Sequence, residues 1–144
     1  MPYPNVSHTQ DLPWWVNTPV AQAASTLAFT AAAAADDRKG ENIVVVQVSQ
    51  VSYLADYFVV VSGFSPVQVR AIAQAIEDAV EQRCQRSLLR KEGLREGRWV
   101  LQDFGDVVVH IFMPQERDYY NLEAFWGHGE RIPWSSLAPQ APVS

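Results

Sequence analysis

Apolar positions along the chain follow two kinds of pattern. Ile43-Val44-Val45-Val46-Gln47-Val48 and Tyr57-Phe58-Val59-Val60-Val61 are short, β-branched or aromatic, and almost continuously apolar. Such runs predict strands buried on both faces, and so central in a sheet. After them the period lengthens: Val69, Ile72, Ala73, Ile76 and Val80 recur at helical spacing and predict a helix laying one face on that sheet. Its start is marked by Ser65, which can cap, by Pro66, which suits the first helical position, and by Gln68, which completes a capping box. Upstream, the alanine-rich stretch Val20 to Asp37 predicts another helix, with Gly40 suited to its C-terminal turn. Downstream, Leu88 to Arg90 predicts a short edge strand, and Trp99 to Gln102 and Val107 to Met113 predict two more. Asp103-Phe104-Gly105-Asp106 would join the last two as a hairpin, with Gly105 free to take positive φ. A last helix is expected over Arg117 to Trp126, where Tyr119, Leu122 and Trp126 share a face. This order predicts a single small α/β domain, a mixed β-sheet flanked by helices.

The two ends fall outside the pattern. Residues 1–19 carry Pro2, Pro4, Pro13 and Pro19 and read as an extended arm. Trp14 and Trp15 are costly to leave wet, so folding back onto the domain is preferred to a partner contact. The domain itself is expected over residues 20–132. Residues 133–144, with Pro139 and Pro142 and few core formers, read as a disordered tail.

Composition narrows the function. A chain of 144 residues, 48% of them hydrophobic, holds enough apolar material for one core. A net charge of -5 argues against a molecule that binds nucleic acid over its whole surface; a basic protein is the easier partner. The lone Cys84 cannot form an intramolecular disulfide, which fits a reducing, cytoplasmic setting. His8, His110 and His128 are scattered, and no metal-ligand spacing is present. Val20 to Ala35 is too short and too polar for a membrane span, and no Lys or Arg precedes Arg38, as a signal or transit peptide would need. Charge is also uneven. Six basic residues stand between Arg83 and Arg98 against Glu92 and Glu96, whereas Trp99 to Glu130 holds six acids against Arg117. Solvated surface explains most such charges. The functional alternative is an acidic face for a basic partner, with a basic flank able to touch RNA phosphates.

Nothing in the chain specifies a reaction. Ser62-Gly63-Phe64-Ser65 lies between a strand and a helix, where a nucleotidyltransferase would hold phosphates, but helix capping is the simpler role. Such an enzyme also needs carboxylates converging on Mg²⁺. Asp103 and Asp106 stand three apart across a turn, and Asp56 has no acidic partner two residues away. His110, mid-strand among valines, reads as a hydrogen-bonded structural residue. Cys84, although near Arg83 and Arg86, ends the apolar stripe of its helix and reads as packing. Trp99, Leu101 and Asp103 alternate onto one side of their strand, making an apolar face with an acidic end. Trp99 by itself reads as core, though tryptophan is also a common binding hot spot. Phe104, at the hairpin tip, is expected to be exposed, an aromatic flanked by Asp103 and Asp106 and suited to docking a basic, partly apolar surface.

These residues also carry a resemblance. Trp99, Asp103, Gly105, Asp106, Val109, His110 and Phe112 stand at the spacing WxxxDxGDxxVHxF, and Arg117 to Trp126 fits RxxYxLExLW, with Phe125 where Leu is usual. Ala55-Asp56-Tyr57-Phe58, Ser62-Gly63-Phe64-Ser65, Lys39-Gly40-Glu41-Asn42-Ile43 and Glu92-Gly93 complete the series. Together these elements resemble those of the ribosomal silencing factor (Iojap) family, in order and at family spacing from about Ala24 to Trp126. The resemblance implies a nucleotidyltransferase-like fold without catalytic carboxylates, no enzymatic activity and no cofactor. It implies docking on the large ribosomal subunit through ribosomal protein L-fourteen, so that the small subunit cannot join and translation falls under nutrient limitation or in stationary phase. It further implies a homodimer when free, and leaves a role in ribosome assembly open. The expected contact comprises Trp99, Leu101, Asp103, Phe104, Gly105 and Asp106, with Arg90, Lys91, Glu92 and Arg98 as a possible flank that includes a peripheral RNA contact.

Overall fold

The computed structural model describes residues 19–48, 55–120 and 130–132. Helix α1 (Pro19–Asp37) leads into strands β1 (Glu41–Gln47) and β2 (Tyr57–Ser62). Helix α2 (Pro66–Cys84) follows, then β3 (Arg90–Glu92), β4 (Trp99–Asp103), β5 (Val107–Phe112), the short helix α3 (Pro114–Tyr120) and β6 (Glu130–Ile132). The six strands form one sheet in the order β3-β4-β5-β2-β1-β6. Among the described strands only the β2–β5 pairing is parallel. The sheet is therefore mixed, with the two longest apolar runs near its centre.

Strand alternation sorts the side chains onto two faces. Val45, Val59, Val61, Val100, Val107, Val109 and Ile111 meet both long helices in the main core. From α1 that core receives mostly alanines, together with Leu27; from α2 it receives the expected Val69, Ile72, Ala73, Ile76 and Val80. Small side chains on α1 let it lie close to α2. On the other face Val46, Val48, Ala55 and Phe58 form a smaller cluster with Val44 and Val108. No described helix is long and apolar enough to cross a membrane.

The start of α2 follows the sequence pattern with one shift. Ser65 Oγ accepts from Gln68 N at 3.0 Å, while Gln68 Oε1 accepts from Phe64 N at 2.7 Å, one residue before the cap. Gln68 Nε2 also donates to the carbonyls of Arg38 and Lys39, at 3.2 and 3.0 Å. One side chain thus caps α2 and holds the end of α1.

Several boundaries move. Lys39, not Gly40, takes the left-handed conformation after α1, with φ 66°. Gly40 is needed for space: a Cβ there would stand 2.7 Å from Val61 Cγ1 and 2.9 Å from the Ala35 carbonyl oxygen. β1 starts exposed and ends buried, lying between β2 and β6. The edge strand β3 comes two residues later than Leu88–Arg90, because its register with β4 pairs Arg90 with Asp103. The last helix begins at Pro114 rather than Arg117, since proline suits a first helical position. Its expected continuation to Trp126 lies outside the described residues, as do Trp14, Trp15, nearly all of the N-terminal arm, and the C-terminal tail. β6 has no counterpart in the sequence reading: three residues, Glu130–Ile132, pair antiparallel with β1.

Candidate partner-docking face

Strand β4 divides its side chains as the alternation predicts. Val100 and Gln102 are buried toward α2, where Gln102 Nε2 donates to the Ala73 carbonyl at 2.8 Å. Trp99, Leu101 and Asp103 are half-buried on the opposite face. Across β5 they stand beside Phe112, His110 and Val108. Across β3, Asp103 stands beside Arg90 and Leu101 beside Glu92, both exposed. The sheet register thus gathers Trp99, Leu101, Asp103, Arg90 and Glu92 into one surface: two apolar side chains with charges around them. Within it Arg90 Nε and Glu92 Oε2 pair at 3.2 Å.

Trp99 is fixed on three sides. Its ring stacks on Phe112 with centroids 4.9 Å apart. Its Nε1 donates to His110 Nδ1 at 3.2 Å. Behind it, a Cβ on Gly93 would fall 1.9 Å from the Trp99 carbonyl oxygen, and Gly93 has φ 84°. Only glycine fits there, so the turn before β4 helps set where Trp99 stands. His110 is the hydrogen-bonded structural residue expected of it. It is 5% exposed, and burial pushes its pKa down to about 4. The neutral ring offers Nδ1 to the indole, which places the ring proton on Nε2.

The hairpin corrects the expectation for Phe104. Its side chain is 1% exposed and belongs to the main core. The turn closes through Phe104 N to Val107 O at 2.9 Å and Gly105 N to Asp103 Oδ1 at 2.8 Å, with Gly105 at φ 99°. This compact geometry turns Phe104 inward, away from Trp99. Asp106 is clamped from behind: Arg86 Nη2 and Nη1 donate to its Oδ1 and Oδ2 at 2.7 and 3.3 Å, and Nη2 also reaches the Phe104 carbonyl at 2.7 Å. Asp103 and Asp106 are thus spent on the turn and on Arg86, and do not converge on a common ion. Nearby Asp56 has a raised pKa, from burial first and from the Asp106 carboxylate second.

The proposed flank is split. Lys91 stands beside Gln102 on the helix side of the sheet and pairs with Glu77 at 3.4 Å, away from Arg90 and Glu92. Arg98 precedes β4 and pairs with Glu116 at 3.1 Å. Two features were missed in the sequence. Leu89, 73% exposed, sits beside Gly105, and Arg86 holds the hairpin. The change from a basic to an acidic segment was the available signal for the Arg86–Asp106 pair. Ser65 serves as a cap, and Cys84 packs at the core edge 3.9 Å from Thr30 Oγ1.

Comparison with known proteins agrees with this architecture. A family profile described as "Ribosomal silencing factor during starvation" matches residues 21–143. "Ribosomal silencing factor RsfS" of Bacillus subtilis is 47% identical over 97 residues, 67% of this chain and 81% of that protein. A more distant relative, "Mitochondrial assembly of ribosomal large subunit protein 1" of Mus musculus, is 32% identical over 87 residues, 59% of this chain and 38% of that protein. A crystal structure of a Chromobacterium violaceum protein superposes with TM-score 0.70 at 33% identity, covering 84% of this chain and 98% of that one. The chain belongs to the ribosomal silencing factor family.

Proposed function

We propose that the chain binds the large ribosomal subunit through ribosomal protein L-fourteen, using the outward face of β4. Bound there it would keep the small subunit from joining and so lower translation under nutrient limitation or in stationary phase. In this reading it acts in the cytoplasm, catalyses no reaction, needs no cofactor, and is a homodimer when free. The observation that carries it is the half-buried, rigidly held Trp99 with Leu101 beside it, ringed by Asp103, Arg90 and Glu92. A fixed tryptophan is a suitable anchor, since it offers a large area and little entropy is lost on docking. The surrounding charges set orientation and speed of encounter with a basic partner. Gly105 donates its N–H to Asp103 at the end of this strand, and Phe104, in the core, is not part of the face.

Large-subunit binding and thermal unfolding should be measured on the same Trp99→Ala and Leu101→Ala proteins, with the contacted ribosomal protein identified by crosslinking. Truncating the anchor should weaken binding by ~2 kcal/mol or more, roughly thirtyfold. Loss of binding only in proportion to loss of folding would make Trp99 a core residue. Normal binding would move the contact elsewhere, toward Arg98 and the basic segment. A second reading, large-subunit assembly, is favoured by the name of the mouse relative. Sucrose gradients separate the two: silencing leaves mature but separated subunits, whereas loss of an assembly factor accumulates immature large-subunit precursors.

A further inference from the structure

The ion pair between Arg98 and Glu116 stands at the Trp99 end of β4, and it is incomplete. Arg98 directly precedes Trp99, and its carbonyl accepts from Met113 N at 2.9 Å. With Phe112 beside Trp99 in the sheet, this bond brings the start of α3 against the start of β4. Glu116 of α3 then reaches the Arg98 side chain, whose Nη1 donates to Oε2 at 3.1 Å. That is one contact where a guanidinium and a carboxylate can form two. The other oxygen, Glu116 Oε1, is buried and accepts no hydrogen bond among the described residues. The two side chains are also unequal: Arg98 is 60% exposed and Glu116 19%. The arginine is thus largely hydrated, whereas the carboxylate is largely covered by protein. We infer that Glu116 is a further docking residue, which on the large subunit exchanges Arg98 for a lysine or arginine of the basic partner. This inference rests on the reading that the β4 face docks there.

The energetics favour exchange over a fixed bridge. An ion pair with an exposed arginine and a single contact contributes little, because hydration and side-chain entropy offset the attraction, so giving it up costs little. A buried acceptor without a donor, in contrast, carries a desolvation penalty. Arg98 leaves that penalty in place in the free chain. A partner cation that offers more than one donor, in a contact from which water is excluded, satisfies the carboxylate more fully than Arg98 does. Release of Arg98 also has the right sign, since it withdraws a positive charge from the approach of a basic partner and leaves a negative one. Asp103 and Asp106 are held differently, within the hairpin region. Oδ1 of Asp103 accepts from Gly105 N, and both oxygens of Asp106 accept from Arg86.

The test is binding of the full chain to purified large ribosomal subunits at constant ionic strength, with thermal unfolding of each variant measured alongside. Glu116→Gln should weaken binding by about tenfold, the usual size for a hydrogen bond to a charged group. Arg98→Gln should bind more tightly than the unaltered chain, because Glu116 is then open to the partner. In the double variant that gain should vanish, since no carboxylate is left to release. If the pair only fastens β4 to α3, both single variants weaken binding in step with their unfolding temperatures, and the proposal is overturned. Unchanged binding by Glu116→Gln overturns it too. So does a gain from Arg98→Gln that persists in full in the double variant, because Arg98 then acts by general charge repulsion. Trp99→Ala separates this inference from the reading beneath it. If Trp99→Ala weakens binding and Glu116→Gln does not, the exchange fails and the β4 face stands. If Trp99→Ala binds normally, the β4 face fails and the exchange with it.

Discussion

His110 is a histidine that the fold keeps neutral. Its pKa falls from 6.5 to about 4 because burial penalises the charged ring. The unfolded chain therefore binds a proton that the folded chain refuses between those values. Stability from this group is complete above pH 6.5 and is lost as pH falls toward 4, by roughly 3 kcal/mol in all. Asp56, whose pKa is raised by burial and by Asp106, acts in the opposite sense and offsets part of that loss. Urea unfolding between pH 7 and 4 should show the decline, and a His110→Gln protein should show a shallower one. Acid should also release Trp99, since a protonated His110 no longer accepts from the indole. Trp99 fluorescence cannot isolate this step among five tryptophans, so the imidazole should be followed by NMR.

At the level of elements, the hairpin and the start of α2 give contrasting predictions. The β4–β5 turn is fastened to the core by Phe104 and to the segment after α2 by Arg86. Phe104→Ala should cost ~3–5 kcal/mol as a core cavity. Binding to the large subunit should fall only as far as folding does, and loss of binding with unchanged thermal stability would return Phe104 to the docking surface. Ser65 is a local device. Ser65→Ala removes the bond to Gln68 N and should cost ~1 kcal/mol, read as a small drop in unfolding temperature. Gln68 reaches farther, since it joins the carbonyls after α1 to the first turn of α2.

For the whole molecule, the two long helices share one face of the sheet and leave the other for Trp99, Leu101 and Asp103. Leu89, Phe64 and Val67 are large apolar side chains that remain exposed. Phe64 and Val67 stand at the start of α2 and Leu89 beyond its end, and apolar side chains exposed singly do not by themselves mark an interface, so the dimer rests on the family resemblance. Light scattering across micromolar concentrations should give the mass of two chains for the free protein; a strict monomer at high micromolar concentration would remove the dimer from the functional reading. If the surface used in the dimer overlaps β4, Trp99→Ala should weaken dimer and ribosome binding together.

Local patterns in the chain were enough to determine the type and order of most elements. The valine runs near the sheet centre, the apolar stripe of α2 and the cap at Ser65 depend on neighbours within a few residues, and propensity and period act at that range. The alternation of Trp99, Leu101 and Asp103 was legible for the same reason. Which neighbours those side chains would meet was decided only in three dimensions. Strand register put Arg90 and Glu92 beside the β4 face and sent Lys91 to the other side. Turn geometry carried Phe104 into the core, although its neighbours in sequence are polar or glycine. β6 is three residues long, too short for any period, and exists by pairing with β1. The pairing of Arg98 with Glu116 likewise joins residues from separate segments, an arrangement set by the sheet and carrying no local mark in the sequence.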